Sequence, residues 1–252
     1  MRIECQWGRA GAAVKADVAV IVDVLSFSTA VTAATERGAA VFPWWGEGVD
    51  ELAELVGGVA AAKGRTRERP SLSPVSLAGL GEGAKLVLPS VNGARCTLAA
   101  QAEHVFCGCL RNAKAVAAMA AEAGDHVLVV PAGETWSDKN GPDGSMRVAF
   151  EDMAGAGAVI SHLTGDKSPE AEAMQAVFEA ARGDLEARML ASISGQELVE
   201  RGFADDVRFA AEVDVSEAAP MLMMHRQRYR AAAPASEMAA HRIRYFEDVA
   251  KG

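Results

Sequence analysis

Four short segments of this sequence collect side chains that could bind or activate an anionic substrate. Hydroxyl, carboxyl, amide and guanidinium groups cluster in residues 23–29, 90–95, 111–112 and 133–134. Each segment is expected to follow a strand and precede a helix, where small polar residues commonly cap the first turn. The free N–H groups at a helix N-terminus also bind phosphate. Both interpretations stay open for any one segment, but four of them at one sheet edge favour an anion site.

Asp23 and the pair Glu151 and Asp152 are the carboxylates that could hold a metal ion or transfer protons. Asp23 ends an apolar run, so its carboxylate is expected at a sheet edge, where it could bind a hard cation through oxygen. Glu151 and Asp152 open a helix of very small residues, which allows close packing. The alternatives are a helix cap for Asp23 and compensation of the helix dipole for the pair.

Three arginines in one loop are candidates for binding oxyanions. Arg65, Arg67 and Arg69 lie within a few residues of one another, and the planar guanidinium fork suits phosphate and sulfonate oxygens. A solvated surface loop is the alternative interpretation. Asn92 is a further candidate catalytic residue. The other candidate substrate contacts are Ser26, Ser28, Thr29, Gly93, Arg95 and Asn112.

These residues need a scaffold that brings strand ends together, and the chain has the pattern for one. Apolar runs at residues 18–22, 85–88, 104–110 and 126–130 alternate with helical patterns. The alternation predicts a three-layer α/β/α fold with a mainly parallel sheet, in which these four strands are neighbours with their carboxyl ends on one side. The second half is predicted to be mostly helical, with a late strand near 207–213.

The predicted organisation is a single α/β domain spanning residues 1–252. Two close-packed lobes, about 1–147 and 148–230, are the alternative, since a chain of this length can bury either arrangement. Residues 231–252 are predicted to form a charged, peripheral C-terminal tail that is helical from Ser236.

Composition limits the partners that the protein could have. A net charge of −9 argues against nucleic acid, because binding to the phosphate backbone relies on clustered positive charge. An apolar stretch of about 18 residues, as membrane spanning requires, is missing from the sequence, so no membrane partner is expected. The four cysteines follow no CxxC spacing, which favours reduced thiols and a cytoplasmic protein. A homo-oligomer is left open.

Six segments occur in the order found in the 2-phosphosulfolactate phosphatase family, which the chain resembles from residue 17 to about 220. The first reads Asp-Val-Leu-Ser-Phe-Ser-Thr and is similar to the family's Asp-Val-Leu-Arg-Ala-Ser/Thr-Thr. A later one, Phe-Glu-Asp followed by small residues, resembles the family's Leu-Glu-Asp-x-x-x-Ala-Gly-Ala. The similar segments are residues 23–29, 92–95, 108–117, 132–133, 150–158 and 198–207.

The resemblance implies Mg²⁺-dependent hydrolysis of a small anionic phosphate monoester, with 2-phospho-3-sulfolactate as the candidate substrate and coenzyme M biosynthesis as the setting. It implies that Asp23, Glu151 and Asp152 are metal ligands or water-activating groups. Phosphate would be held by Asn92, the Gly93 amide, Ser28 and Thr29. Ser26 and Asn112 lie in the matching motifs, and the second anionic group would be met by Arg95 or by one of Arg65, Arg67 and Arg69.

Two departures from the family pattern bear on the substrate. Ser26 stands where the family has arginine, and Ala94 stands where it has threonine. Losing an arginine removes charge-assisted hydrogen bonds worth about 1.5 to 3 kcal/mol each. Two alternatives therefore stay open. The chain could be a non-catalytic relative that binds an anionic metabolite or a partner protein, or a phosphatase for a different ester.

Overall fold

Asp23 lies at the end of a strand that is buried along its whole length. The computed structural model describes residues 1–136, 145–228 and 242–250. Its strands are β1 (Arg2–Cys5), β2 (Val18–Val22), β3 (Ala40–Trp44), β4 (Val59–Ala60), β5 (Lys85–Pro89), β6 (His104–Gly108), β7 (His126–Pro131), β8 (Glu134–Thr135), β9 (Met146–Arg147), β10 (Asp166–Lys167), β11 (Pro220–Arg228) and β12 (Arg242–Asp248). All five residues of β2 are buried.

The helices surround these strands and dominate the second half, as predicted. They are α1 (Gly8–Ala12), α2 (Phe27–Thr35), α3 (Val49–Val56), α4 (Gly93–Ala99), α5 (Ala113–Ala123), α6 (Phe150–Ser161), α7 (Pro169–Ala181), α8 (Leu185–Ala191), α9 (Ile193–Glu200) and α10 (Ala204–Ala211). In the ranges that the structure describes, no helix is long and apolar enough to cross a membrane.

One sheet in the described part of the chain has the strand order β10-β1-β7-β2-β6-β11-β12-β3-β5-β4. Two parallel groups, from β10 to β6 and from β3 to β4, are joined through the antiparallel strands β11 and β12. Along β2, Val20 packs with α5 and α6, whereas Ile21 packs with α1 and α4. Because alternate strand residues face opposite sides, helices cover both faces, which confirms the three-layer fold with a mainly parallel sheet.

The predicted neighbourhood of four strands is correct for three of them. β2 pairs in parallel with β6 and β7. β5 instead belongs to the second parallel group, between β3 and β4, so its predicted place beside β2 is wrong. The apolar run that identifies a buried strand does not name its partner, because pairing is settled by contacts distant in sequence. The turns after β2 and β5 nevertheless meet, since Gly93 N–H donates to Asp23 Oδ2 at 2.7 Å.

The prediction of a peripheral, helical tail over residues 231–252 is wrong for residues 242–248. They form β12, which pairs with β11 on one side and with β3 on the other. Phe246 is fully buried, and its ring packs edge to face with that of Phe27, with the ring centroids 6.3 Å apart. The charged residues among the apolar ones in this segment weaken the apolar pattern from which a buried strand is predicted. Residues 229–241 and 251–252 lie outside the described ranges.

Two further elements differ from their predictions. Residues 207–213 were expected to form a strand, but Ala204–Ala211 is helix α10. The apolar spacing of residues 49–62 is that of a helix and predicts one, but α3 ends at Val56 and is followed by the short strand β4. The division into one domain or two lobes stays a prediction.

Helix α6 packs unusually close to its neighbours because its central residues are small. A Cβ on Gly157 would lie 2.0 Å from the Met174 carbonyl oxygen of α7, and one on Gly155 would lie 2.5 Å from Val24 Cγ2. Glycine is therefore required at both positions. The close approach places the first turn of α6, with Glu151 and Asp152, against the turn that follows β2.

Candidate active site

The turn after β2 is closed by hydrogen bonds to and from Asp23. Its Oδ2 accepts from Gly93 N–H at 2.7 Å, and its Oδ1 accepts from Phe27 N–H at 3.3 Å. A Cβ on Gly93 would lie 2.7 Å from Asp23 Oδ2, so only glycine fits this contact. The Gly93 N–H, which was expected to hold phosphate, is thus directed at a carboxylate of the chain itself.

Asp152 ties the turn after β2 to the turn after β7. Its Oδ1 accepts from Val24 N–H and its Oδ2 from Gly133 N–H, both at 2.8 Å. Asp152 is only 3% exposed, so these two backbone donors replace water around the carboxylate. The first turn of α6 thereby joins the ends of two neighbouring parallel strands.

Glu151 and Glu134 bring two more carboxyl groups to the same region. Glu151 is buried and accepts from Ser192 Oγ at 3.5 Å. Glu134 Oε2 accepts from Asn92 Nδ2 at 2.8 Å, and Asn92 Oδ1 accepts from Thr135 Oγ1 at 2.7 Å. Asn92 thus links the turn after β5 to β8. We call Asp23, Glu134, Glu151 and Asp152 the acidic cluster.

Burial raises the pKa of every member of the acidic cluster. It raises the pKa of Asp23 to about 6, with a further increase from the charge of Glu151 that opposes the two N–H donors. Burial, followed by the charges of Asp23 and Glu151, raises the pKa of Glu134 to about 8. The same three causes raise the pKa of Asp152 well above its usual range, and burial raises that of Glu151. The carboxyl groups of the cluster therefore disfavour one another's ionisation, and Glu134 retains its proton at neutral pH.

A buried arginine lies next to this cluster. Arg65 Nη2 donates to Ser26 Oγ at 2.7 Å, while Nη1 donates to Asp206 Oδ2 at 2.6 Å and to the Leu72 carbonyl at 3.1 Å. Its side chain is 8% exposed, and its positive charge lowers the pKa of Asp23. The guanidinium therefore reaches the position at which the resembled family carries an arginine in place of Ser26.

The other candidate arginines lie in different surroundings. Arg67 is 48% exposed and donates to the Gly202 carbonyl and to Asp205, which fits the surface alternative. Arg69 is also exposed. The guanidinium carbon of Arg95 lies 4.8 Å from the centre of the Trp45 ring. Of the predicted arginine loop, only Arg65 is brought to the turn after β2.

Three predicted substrate contacts are instead used inside the fold. Ser28 Oγ donates to the Asp23 carbonyl at 2.7 Å, and Thr29 Oγ1 donates to the Val24 carbonyl at 2.7 Å. Asn112 Nδ2 donates to the carbonyls of Cys107 and Ala218, and its Oδ1 accepts from Cys109 N–H. All three side chains are fully buried. Their geometry favours the structural alternative, and a contact with substrate stays a prediction.

Sequence reasoning left three residues of this region without a role. Glu134 was part of a recognised polar segment, and its position after a strand was the signal that could have singled it out. Asp206 is buried and pairs with Arg65. Arg147 is buried, donates to Ser194 Oγ at 3.4 Å, and lowers the pKa of Glu134 and Glu151. No local pattern predicts the partners of the last two.

Carboxyl groups with raised pKa values, a buried arginine and strand-end turns together define a class of site. Ligands of α/β sheets bind beyond the carboxyl ends of strands, and perturbed carboxyl groups cluster where proteins perform acid–base chemistry. The arrangement is therefore a candidate enzyme active site for a small anionic molecule.

Comparison with known proteins identifies the family within that class. The family model described as 2-phosphosulpholactate phosphatase matches residues 9–224. The 2-phosphosulfolactate phosphatase of Methanocaldococcus jannaschii is 29% identical over 204 residues, covering 77% of this chain and 84% of the relative. That of Methanothermobacter thermautotrophicus is 30% identical, covering 80% and 85%. A probable 2-phosphosulfolactate phosphatase of Carboxydothermus hydrogenoformans is 34% identical over 59% of each chain.

The chain therefore belongs to the 2-phosphosulfolactate phosphatase family, which is a family of phosphoric monoester hydrolases. This confirms the resemblance drawn from the six ordered segments.

Proposed function

We propose that this protein hydrolyses 2-phosphosulfolactate to sulfolactate and phosphate with Mg²⁺ as cofactor, in the cytoplasm and as a step of coenzyme M biosynthesis. Family membership supports the reaction class. The observation that carries the site assignment is the acidic cluster, in which four carboxyl groups share a buried region beside Arg65.

The donor set of the cluster is compatible with Mg²⁺. Among the described residues, no group of three His, Cys, Asp or Glu side chains is arranged to hold a metal ion directly. Mg²⁺ does not need such a group, because it usually keeps several waters and binds through one or two carboxylates plus a substrate phosphate. One or two of Asp23, Asp152 and Glu151 would supply those oxygens. When bound, the ion would neutralise phosphoryl oxygens and lower the pKa of an attacking water.

Glu134 has the chemistry of a proton donor in this reaction. Hydrolysis breaks the P–O ester bond, water supplies the new oxygen on phosphorus, and the leaving alkoxide takes up a proton. With a pKa of about 8, Glu134 carries a proton at neutral pH and can deliver it to that oxygen. The bond from Asn92 to Glu134 Oε2 orients the carboxyl group. The proton lost by water would pass to an ionised carboxylate of the cluster.

Arg65 would meet an oxyanion at the turn after β2. Its pairing with Asp206 holds the guanidinium beside Ser26 while neutralising part of its charge. An arginine in a fixed orientation binds a phosphoryl or acid group better than a mobile one, since less side-chain entropy is lost. The guanidinium of Arg65, which belongs to a different segment, would therefore serve in place of the arginine that the family's first motif has at the position of Ser26.

The test is phosphate release from 2-phosphosulfolactate by EDTA-treated protein, with and without added Mg²⁺. We expect turnover only with the metal, and we expect Asp152→Asn to abolish most of it. Asp205→Asn is the matched control, because Asp205 is an exposed carboxylate in the first turn of another helix. Full turnover in EDTA would refute the metal, and equal losses in both variants would refute the role of Asp152.

A non-catalytic relative remains the second candidate, because Ser26 and Ala94 depart from the family pattern. It predicts that sulfolactate or phosphate raises the melting temperature while no phosphate is released under any metal condition. A phosphatase for another ester predicts Mg²⁺-dependent turnover with a higher kcat/KM for a different monoester. One substrate panel with paired thermal-shift measurements separates the three functions.

A further inference from the structure

A cavity lies directly beside the acidic cluster and shares Glu134 with it. Its volume is about 270 Å³, and Asn92 and Glu134 belong to its wall together with Thr135 and Met146. The walls come from segments far apart in sequence, including the region of α1 and the turn before α4. A cavity of this size can hold a small organic acid.

Two arginines give this cavity a positive wall. Arg9 and Arg95 line it, and Arg95 lies against the Trp45 ring at 4.8 Å. Cys96, which also lines the cavity, lies close enough to these arginines and to the acidic cluster for its pKa to be affected by both. Burial and the charges of Asp23 and Asp152 raise the pKa of the Cys96 thiol to about 12, while Arg95 and Arg9 act in the opposite direction. Acidic and basic groups thus both lie near one wall residue.

We infer that this cavity is the subsite for the sulfonate or carboxylate of the leaving group, with Arg9 and Arg95 as the residues that select it. The inference rests on the proposed function and adds Arg9, which no sequence motif marks. It also distinguishes Arg9 and Arg95 in the cavity from Arg65 and Arg67. The latter two are paired with Asp206 and Asp205 on α10.

The position of Glu134 gives the substrate its direction. If Glu134 protonates the ester oxygen, the phosphoryl group lies on its cluster side and the carbon skeleton lies on the other side. The cavity is lined by Glu134 and by its hydrogen-bond partner Asn92, whereas Asp23, Glu151 and Asp152 do not line it, so it offers the carbon skeleton a place outside the cluster. The acid groups of the leaving molecule would therefore face Arg9 and Arg95, whose guanidinium groups can each make bidentate bonds to oxyanions.

The first experiment compares kcat/KM for 2-phosphosulfolactate and for p-nitrophenyl phosphate, whose leaving group has no sulfonate or carboxylate. Arg9→Ala, Arg95→Ala and the double variant are measured beside Arg188→Ala, an exposed arginine paired with Asp184 on α8. We expect each cavity variant to lose about ten- to a hundredfold on the sulfonated substrate, through KM, and less than about threefold on the other. Arg188→Ala should change neither. Arg95→Lys tests whether charge alone suffices.

The second experiment measures binding of sulfolactate by isothermal titration calorimetry, which needs no turnover. The double variant should bind at least about tenfold more weakly than the wild type. This arm keeps the inference testable if wild-type protein releases no phosphate, which would refute the proposed function alone. The inference is overturned if the double variant keeps the wild-type ratio of kcat/KM between the two substrates together with the wild-type affinity for sulfolactate. It is also overturned if kcat/KM falls equally for both substrates.

Discussion

The first turns of α6 and α10 look alike in sequence and differ completely in the folded protein. Each contains two adjacent acidic residues, Glu151 and Asp152 in α6 and Asp205 and Asp206 in α10. In both helices the second residue of the pair is buried, with exposures of 3% and 0%. A helix dipole favours acidic residues at either position, so local structure does not distinguish the two.

The partners of the two buried aspartates make the difference. Asp206 accepts from Arg65 and from Ser73 Oγ, so its charge is neutralised. Asp152 accepts from two backbone N–H groups and faces other carboxyl groups, which raise its pKa. A buried carboxylate that is paired with a cationic side chain stabilises the fold. A buried carboxyl group that lies near other carboxyl groups is stabilised by binding a proton or a cation. The contrast favours α6, not α10, as the helix terminus of the proposed active site.

The largest expected effect is on stability, at α10. Asp206→Asn leaves the buried Arg65 guanidinium without its counter-ion and should lower the free energy of unfolding by about 3 kcal/mol or more. Urea denaturation of this variant and of Asp205→Asn measures the difference. The exposed Asp205 should matter by less than about 0.5 kcal/mol. Equal stability of both variants would remove the structural assignment of Asp206.

The opposite pattern is expected at α6. Asp152→Asn should lower Mg²⁺-dependent kcat by at least about a hundredfold, because a metal or proton-transfer carboxylate is lost. Its melting temperature should stay within a few degrees, since removing a repelled charge offsets one impaired hydrogen bond. Glu151→Gln provides a second variant, because the hydroxyl group of Ser192 can rotate to suit an amide. Early melting with normal turnover would return both residues to a structural role.

The pH dependence of stability tests the electrostatics of the cluster. Because its folded-state pKa is raised from 4.5 to about 8, the Glu134 carboxyl group contributes stability that is present below pH 4.5 and is lost as pH rises through 8. We expect the wild type to lose roughly 1 to 2 kcal/mol across this window after solvent screening. Thermal unfolding between pH 5 and 9 measures the loss, which Glu134→Gln should reduce. A pH-independent difference between the two proteins would contradict the raised pKa.

The smallest expected effect concerns the turn after β2. Ser28→Ala removes the hydroxyl that bridges the backbone of Asp23 and should cost about 1 kcal/mol of stability. The KM for substrate should change by less than about threefold if the hydroxyl is only structural. A tenfold rise in KM at unchanged melting temperature would instead restore Ser28 as a phosphate ligand.

Local sequence patterns were sufficient to predict the main elements of the scaffold and to select the main candidate carboxylates. The apolar run at residues 18–22 predicted β2, because five consecutive buried residues need both faces of a sheet covered. The small residues after Asp152 predicted the close packing of α6. Asp23, Glu151 and Asp152 were identified by their positions at a strand end and a helix start. Periodicity and capping are short-range properties, so they are legible in a single sequence.

Only the tertiary structure decided which partners these residues meet. It placed β12 inside the sheet, moved β5 to a second parallel group, and directed Gly93 N–H at Asp23. It also joined Arg65 to Asp206 across 141 positions of sequence. Burial and charge depend on contacts between distant segments, so the raised pKa values and the contrast between the proposed active site and the Arg65–Asp206 pair arise only in the folded chain.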